Sequence, residues 1–182
     1  MRNIMFFLIP AALLISSVMV YGQEPEDLSS CKRGWAATES GDYATGIKLF
    51  EACIKNGNLS NKSMARTYRN IGIAQKRNGE PRKAIENYDK AIALHPTDVH
   101  DDYVNKGNAW SELGDYKKAL KEYDLALKSK PDYNEAYYNR GIVFEKQNQL
   151  EKAKIEFVKA YENGLRSDQL YDRYVKYGLV NK

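Results

Sequence analysis

The chain has 182 residues, long enough for one domain with its own core, and its 43% hydrophobic and 29% charged content is that of an ordinary folded protein, which excludes a mostly disordered or collagen-like molecule. The formal net charge is +4, and acids and bases are interleaved, as in the stretch KKALKEYD over residues 117–124. That balance is too weak to predict nucleic-acid binding, and no polybasic membrane patch is present.

Residues 1–22 stand apart from the rest. Arg2 precedes an apolar run from Ile4 to Gly22 that contains Pro10 and ends in Val20-Tyr21-Gly22, residues suited to the −3 and −1 positions of a cleavage site. This reads as a secretory signal peptide cut after Gly22, so the expected location is periplasmic or secreted. Its loss takes Arg2 and no acid, lowering the formal charge from +4 to +3. The run is 19 residues, close to a membrane-spanning length, so an uncleaved anchor is the alternative. Residues 23–26 form a short linker.

Four segments of 34 residues follow, at 27–60, 65–98, 100–133 and 134–167, with Asn61 to Met64 inserted after the first. Glycine stands at the eighth place of each: Gly34, Gly72, Gly107 and Gly141. Each segment carries two apolar stripes at helical spacing, split in the first three by a turn: Gly41-Asp42-Tyr43, Gly79-Glu80-Pro81 and Gly114-Asp115-Tyr116. Alanine at the twentieth place (Ala84, Ala119, Ala153) and the glycines remove side chains where two antiparallel helices cross. Aromatic residues at the fourth place (Tyr68, Tyr103, Tyr137) and the twenty-fourth (Phe50, Tyr88, Tyr123, Phe157) then fill the space on either side.

These positions, with Ala91, Ala126 and Ala160 at the twenty-seventh place and the closing Pro96 and Pro131, resemble the tetratricopeptide repeat family over about residues 27–167. The resemblance implies an all-α, right-handed α-solenoid of four antiparallel helix pairs. The first repeat departs from the pattern, with Ser30 in place of a large residue and Gly46 in place of alanine, and reads as an irregular end repeat. The fourth has Asn148 at the turn and ends in Gly164 rather than proline. Residues 168–182 read as a capping helix, with Ser167 as N-cap and Leu170, Tyr171, Tyr174 and Tyr177 on one face.

Cys31 and Cys53 fall at the fifth and twenty-seventh places of the first repeat, toward the same end of an antiparallel pair. In an exported chain they suggest one disulfide. Two alternatives stay open: free thiols, and lipidation of Cys31, because Leu28-Ser29-Ser30-Cys31 imitates a bacterial lipobox. Membrane attachment is expected only if the leader is retained or Cys31 is lipidated. No cysteine and histidine spacing suits a metal, and none is expected.

No catalytic residue emerges. His95 and His100 sit at a loop and a helix start, and there is no nucleophile motif, phosphate-cradling glycine loop or isolated carboxylate pair. An enzyme is therefore not expected, nor a cofactor.

The remaining candidate is the inner face of the array, lined by the first helix of each pair at places two, five, six, nine, twelve and thirteen. Its residues include Trp35, Arg66, Arg69, Asn70, Ile73, Arg77, Asn105, Asn108, Tyr138, Asn139 and Ile142. Asparagine at place six in three successive repeats offers a donor and an acceptor to the backbone of an extended peptide. Arg66, Arg69, Lys76 and Arg77 in the second repeat face Asp101 and Glu112 in the third and Glu135 and Glu145 in the fourth, which suggests a partner segment of mixed charge. Chaperone-binding members of the family clamp a terminal carboxylate with lysine, asparagine and arginine. Here Asn70 and Asn105 match its middle place and only Arg69 keeps a clamp charge, so that mode is not expected. The expected function is a non-catalytic scaffold or adaptor that binds a protein or peptide partner, the alternative being an envelope-anchored assembly factor.

Overall fold

A computed structural model describes residues 28–179; the expected signal peptide, the linker and the last three residues lie outside the described part. The described residues form helices and turns with no strand: α1 (Ser29–Glu39), α2 (Tyr43–Asn56), α3 (Asn61–Arg77), α4 (Pro81–Leu94), α5 (His100–Glu112), α6 (Tyr116–Ser129), α7 (Asn134–Lys146), α8 (Leu150–Glu162) and α9 (Asp168–Lys176). Consecutive helices pack as antiparallel pairs, and each pair stacks on the next through α2–α3, α4–α5 and α6–α7. The first helices also meet one another directly, α1 with α3, α3 with α5 and α5 with α7. Among the described residues no helix is long and apolar enough to cross a membrane.

Local chemistry sets the turns. Asp42 and Asp115 cap α2 and α6 by accepting from the backbone N–H of Thr45 and Lys118, each at 3.1 Å, and Pro81 opens α4. The residue before each cap lies in the left-handed region, as Gly41, Gly79 and Gly114 permit, and Asn148 takes the same conformation (φ 57°) in the fourth repeat. The four residues inserted at Asn61–Met64 become the first turn of α3, capped by Ser60, which makes α3 17 residues long against 13 for α5 and α7.

The core is a file of helix-pair crossings. Phe50, Tyr88, Tyr123 and Phe157 are at most 1% exposed, beside the fully buried Ala84, Ala119 and Ala153. A Cβ at Gly72, Gly107 or Gly141 would meet the ring of Tyr88, Tyr123 or Phe157 at 2.5–2.6 Å, closer than carbon atoms pack, so the place-eight glycine and the place-24 aromatic are one joint. Gly46 in the first repeat has its own reason. A Cβ there would run into Thr38 Oγ1, and Thr38, 1% exposed, donates its hydroxyl to the Gly34 carbonyl at 2.9 Å.

A charge ladder ties neighbouring repeats together on the second-helix side. Lys106 lies 2.7 Å from Asp89 and 3.1 Å from the buried Glu122; Arg140 lies 2.5 Å from Asp124 and 2.7 Å from the buried Glu156. Both cations hold place seven, and both span one repeat to the next. At the junction of the first two repeats the same place is Ile71, and the buried acid is replaced by Asn87, which donates to Gln75 at 2.8 Å. Cation and buried acid are thus lost together, which leaves no uncompensated charge in the core.

Cys31 and Cys53 are joined, with their Cα atoms 5.3 Å apart, and among the described residues no cysteine is free. The bond closes the end of the repeat that conforms least to the pattern.

The last helix corrects one expectation. Leu170 is buried and Tyr174 and Tyr177 are half-buried, but Tyr171 is 61% exposed. The reason is how α9 lies on α7. Tyr138 meets Gln169 and Arg173, and Glu145 meets Lys176, at sequence separations of 31–35, close to the 32–36 that join α3 to α5 through Arg69–Asp101 and Lys76–Glu112. α9 therefore occupies the place of the first helix of a fifth repeat, and the face carrying Tyr171 is the one a second helix would cover.

Candidate functional site

The inner surface is built from α1, α3, α5 and α7, and its predicted residues divide into three groups. Asn70, Asn105 and Asn139 are half-buried, one on each of α3, α5 and α7, and none makes a side-chain hydrogen bond within the described residues. Arg66 is exposed and without an ion pair there, and Trp35 is 43% exposed on α1. These five keep their polar or aromatic surface available.

Four others are committed within the fold. Arg69 grips the buried Asp102 with two charge-assisted bonds, Nε to Oδ1 at 2.6 Å and Nη2 to Oδ2 at 2.7 Å, and it also reaches Asp101 at 3.4 Å. Arg77 donates to Glu39 at 2.8 Å, and Asn108 accepts the Tyr123 hydroxyl at 2.7 Å. Tyr138 accepts from Arg173 at 2.9 Å beneath α9. Ile73 and Ile142 are half-buried and pack on the core clusters beneath α3 and α7.

The basic pocket expected beside an acidic one is therefore not free. Arg69 with Asp101 and Asp102, and Lys76 with Glu112 at 3.3 Å, neutralise one another between α3 and α5. Burial pushes the Asp102 carboxyl up while Arg69 pulls it down; the Arg69 guanidinium is itself raised, chiefly by its bond to Asp102. The two shifts pull in opposite senses for the pair. The short, two-pronged geometry decides for an ionised pair at neutral pH.

Sequence reasoning missed Asp102 as the anchor of this pair, although an acid at a place that is apolar in the next repeat, Ala136, was the available signal. The capping helix was expected, but not that Glu145 on α7 holds it through Arg173, Lys176 and Tyr177. Burial alone would raise the carboxyl of Glu145 on α7, but hydrogen bonds from Tyr177, Lys176 and Arg173 outweigh it and hold it low. Among the described residues no cluster of His, Cys, Asp and Glu could hold a metal ion.

Tetratricopeptide repeat models match residues 65–98 and 135–163, and a further TPR repeat model matches 107–148. The chain belongs to the tetratricopeptide repeat family. The photosystem I assembly protein Ycf3 of Synechococcus sp. (strain CC9605) is 30% identical over 91 residues, 50% of this TPR chain and 51% of the relative. The chain thus spans about half the length of the curated relatives it matches. A crystal structure of MamA protein superposes with a TM-score of 0.62 at 25% identity, covering 85% of this chain and 78% of that one. The TPR protein YrrB superposes with a TM-score of 0.65 at 18% identity, covering 81% and 73%.

Proposed function

We propose that this TPR chain is a non-catalytic interaction scaffold, exported from the cytoplasm, which holds an extended segment of a partner protein in its inner groove. The observation that carries the reading is the row of Asn70, Asn105 and Asn139. Three half-buried amides in successive repeats, none bonded within the described fold, leave donors and acceptors uncommitted while Arg69, Arg77 and Asn108 beside them are bonded. An extended backbone presents alternating N–H and C=O groups, so an amide row binds chain with little demand on side-chain sequence.

Trp35 offers an apolar contact at one end of the row, and Arg66 offers an unpaired cation beside it. A segment of mixed charge is no longer favoured, because Arg69, Lys76 and Arg77 are paired internally. The same commitment of Arg69 to Asp102 withdraws the one cation that matched a terminal-carboxylate clamp. YrrB is described as a TPR protein with an unusual peptide-binding site, which supports peptide binding on this scaffold by analogy. Export rests on the N-terminal apolar run that ends at Gly22.

A second reading, an envelope-anchored assembly factor, draws on the likeness to Ycf3, itself named for photosystem I assembly. Crosslinking capture from the native envelope tests the proposal, with wild type compared against Asn70, Asn105 and Asn139 all changed to Ala. A partner caught by wild type alone supports the groove. The same partner caught equally by both places binding elsewhere. Recovery of the protein by osmotic shock without detergent would exclude the anchored form.

A further inference from the structure

α1 is weakly held by packing. It runs for 11 residues, shorter than an isolated helix needs to persist in water, and its N-cap Leu28 has no side chain that can accept from the first turn. Its buried residues are Gly34 and Thr38, so it puts no large apolar side chain into the core. Where α3, α5 and α7 carry Tyr68, Tyr103 and Tyr137, α1 has Ser30, and its Trp35 is 43% exposed. Beyond its own pair it meets α3 through the exposed Glu39–Arg77 ion pair at 2.8 Å and through Cys31 Sγ beside Thr67 Oγ1 at 3.2 Å. Exposed ion pairs contribute little.

What fastens α1 is the Cys31–Cys53 bond. It ties α1 to α2 one turn beyond Phe50, whose fully buried ring lies against Gly34. A cross-link between residues 22 apart removes much of the freedom that a detached α1 would gain, and reduction returns that freedom. α3, α5 and α7 have helices packed on both sides and depend on no such bond. Cys31 is half-buried while Cys53 is 1% exposed, so an attacking thiolate meets the Cys31 sulfur. A dithiol reductant then completes a two-electron exchange. Its first thiolate bonds to Cys31 and expels Cys53, which takes a proton; its second closes the reductant's own disulfide and releases Cys31, which is protonated in turn.

We propose that α1 is a redox-controlled latch at one end of the inner surface, docked while Cys31 and Cys53 are joined and released as a unit when a dithiol reduces them. Release withdraws Trp35, frees Arg77 from Glu39 and uncovers the Phe50 ring. The oxidised chain therefore ends its inner surface in an indole and a neutralised ion pair, and the reduced chain in a free cation and an apolar ring. The effect on a bound segment rests on the groove being the binding surface. The release itself does not, and it is measured without a partner.

The test is amide exchange read by mass spectrometry on the purified full chain, oxidised and after reduction with dithiothreitol. Reduction should lower the protection of the α1 amides by about tenfold or more and leave α3 to α9 unchanged, and reoxidation should restore it. Cys31→Ala combined with Cys53→Ala should show the reduced pattern without any reductant and should ignore dithiothreitol, which excludes an effect of the reductant elsewhere. Protection of α1 that survives reduction overturns the proposal. So does a loss spread evenly over all the repeats, which would make the bond a staple of the whole fold and not a latch on one helix. Neither result bears on whether Asn70, Asn105 and Asn139 contact a partner, so the latch and the groove fail separately.

Discussion

Tyr123 donates its hydroxyl to Oδ1 of Asn108 at 2.7 Å, and the equivalent tyrosine one repeat earlier, Tyr88, has no such acceptor because Ile73 holds the place of Asn108. Tyr88 is fully buried and its hydroxyl is unpartnered. The fourth repeat resolves the same choice differently, with Phe157 above Ile142. Tyr88→Phe should therefore raise stability by about 1 kcal/mol and Tyr123→Phe should lower it by a similar amount, since a buried hydroxyl without a partner is a net penalty and one with a partner a modest gain. Urea unfolding of the two variants measures both, and equal effects of the same sign would contradict the pairing.

The glycine joint gives a second prediction. Gly107→Ala adds about 1 kcal/mol of helix propensity, but the new Cβ meets a Tyr123 ring that is 1% exposed and tethered by Asn108, so overpacking of about 1–3 kcal/mol should win. Gly107→Leu should cost more. A thermal melt of both variants checks the order, and an unchanged melting temperature for the leucine variant would refute the crossing.

Much of the fold was legible because its rules are local or periodic. The glycine at place eight, the alanine at place twenty and the turn residues each report one crossing or one φ angle, and they recur. What stayed hidden depends on contacts between repeats. Nothing in Asn61–Met64 says that an insertion will wind into α3, and no spacing within one repeat says that Lys106 and Arg140 will bridge to the acids of the repeat before. The groove was read in the same way. The Asn70, Asn105 and Asn139 row follows from register alone, but the availability of Arg69 and Arg77 depended on Asp102 and Glu39, which lie on other helices. Tyr171 was misplaced because helical periodicity assigns a face without naming what covers it.

The docking of α9 should be sensitive to acid. The Glu145 carboxyl is held below its ordinary value of 4.5 in the folded chain by Tyr177, Lys176 and Arg173, which outweigh burial. A group lowered in this way stabilises the fold above pH 4.5, and that contribution disappears as pH falls through the lower folded value. Asp102 shifts the other way through burial, but it lies in α5, so a readout local to α9 separates the two. Protection factors of the amides at Arg173–Tyr177, with the intrinsic pH dependence of exchange divided out, should fall below pH 4.5 before those of the repeats, and Glu145→Gln should abolish that dependence while weakening the docking at neutral pH.

The central claim is that the asparagine row contacts the partner. A photoactivatable crosslinking residue placed at Asn105, and in a separate variant at Glu86, exposed on the second helix of its pair, tests it in the native envelope. The account predicts that the first variant captures a partner through an extended segment and that the second captures none. Capture at Glu86 with nothing at Asn105 would contradict it and move the binding surface to the outer face of the array.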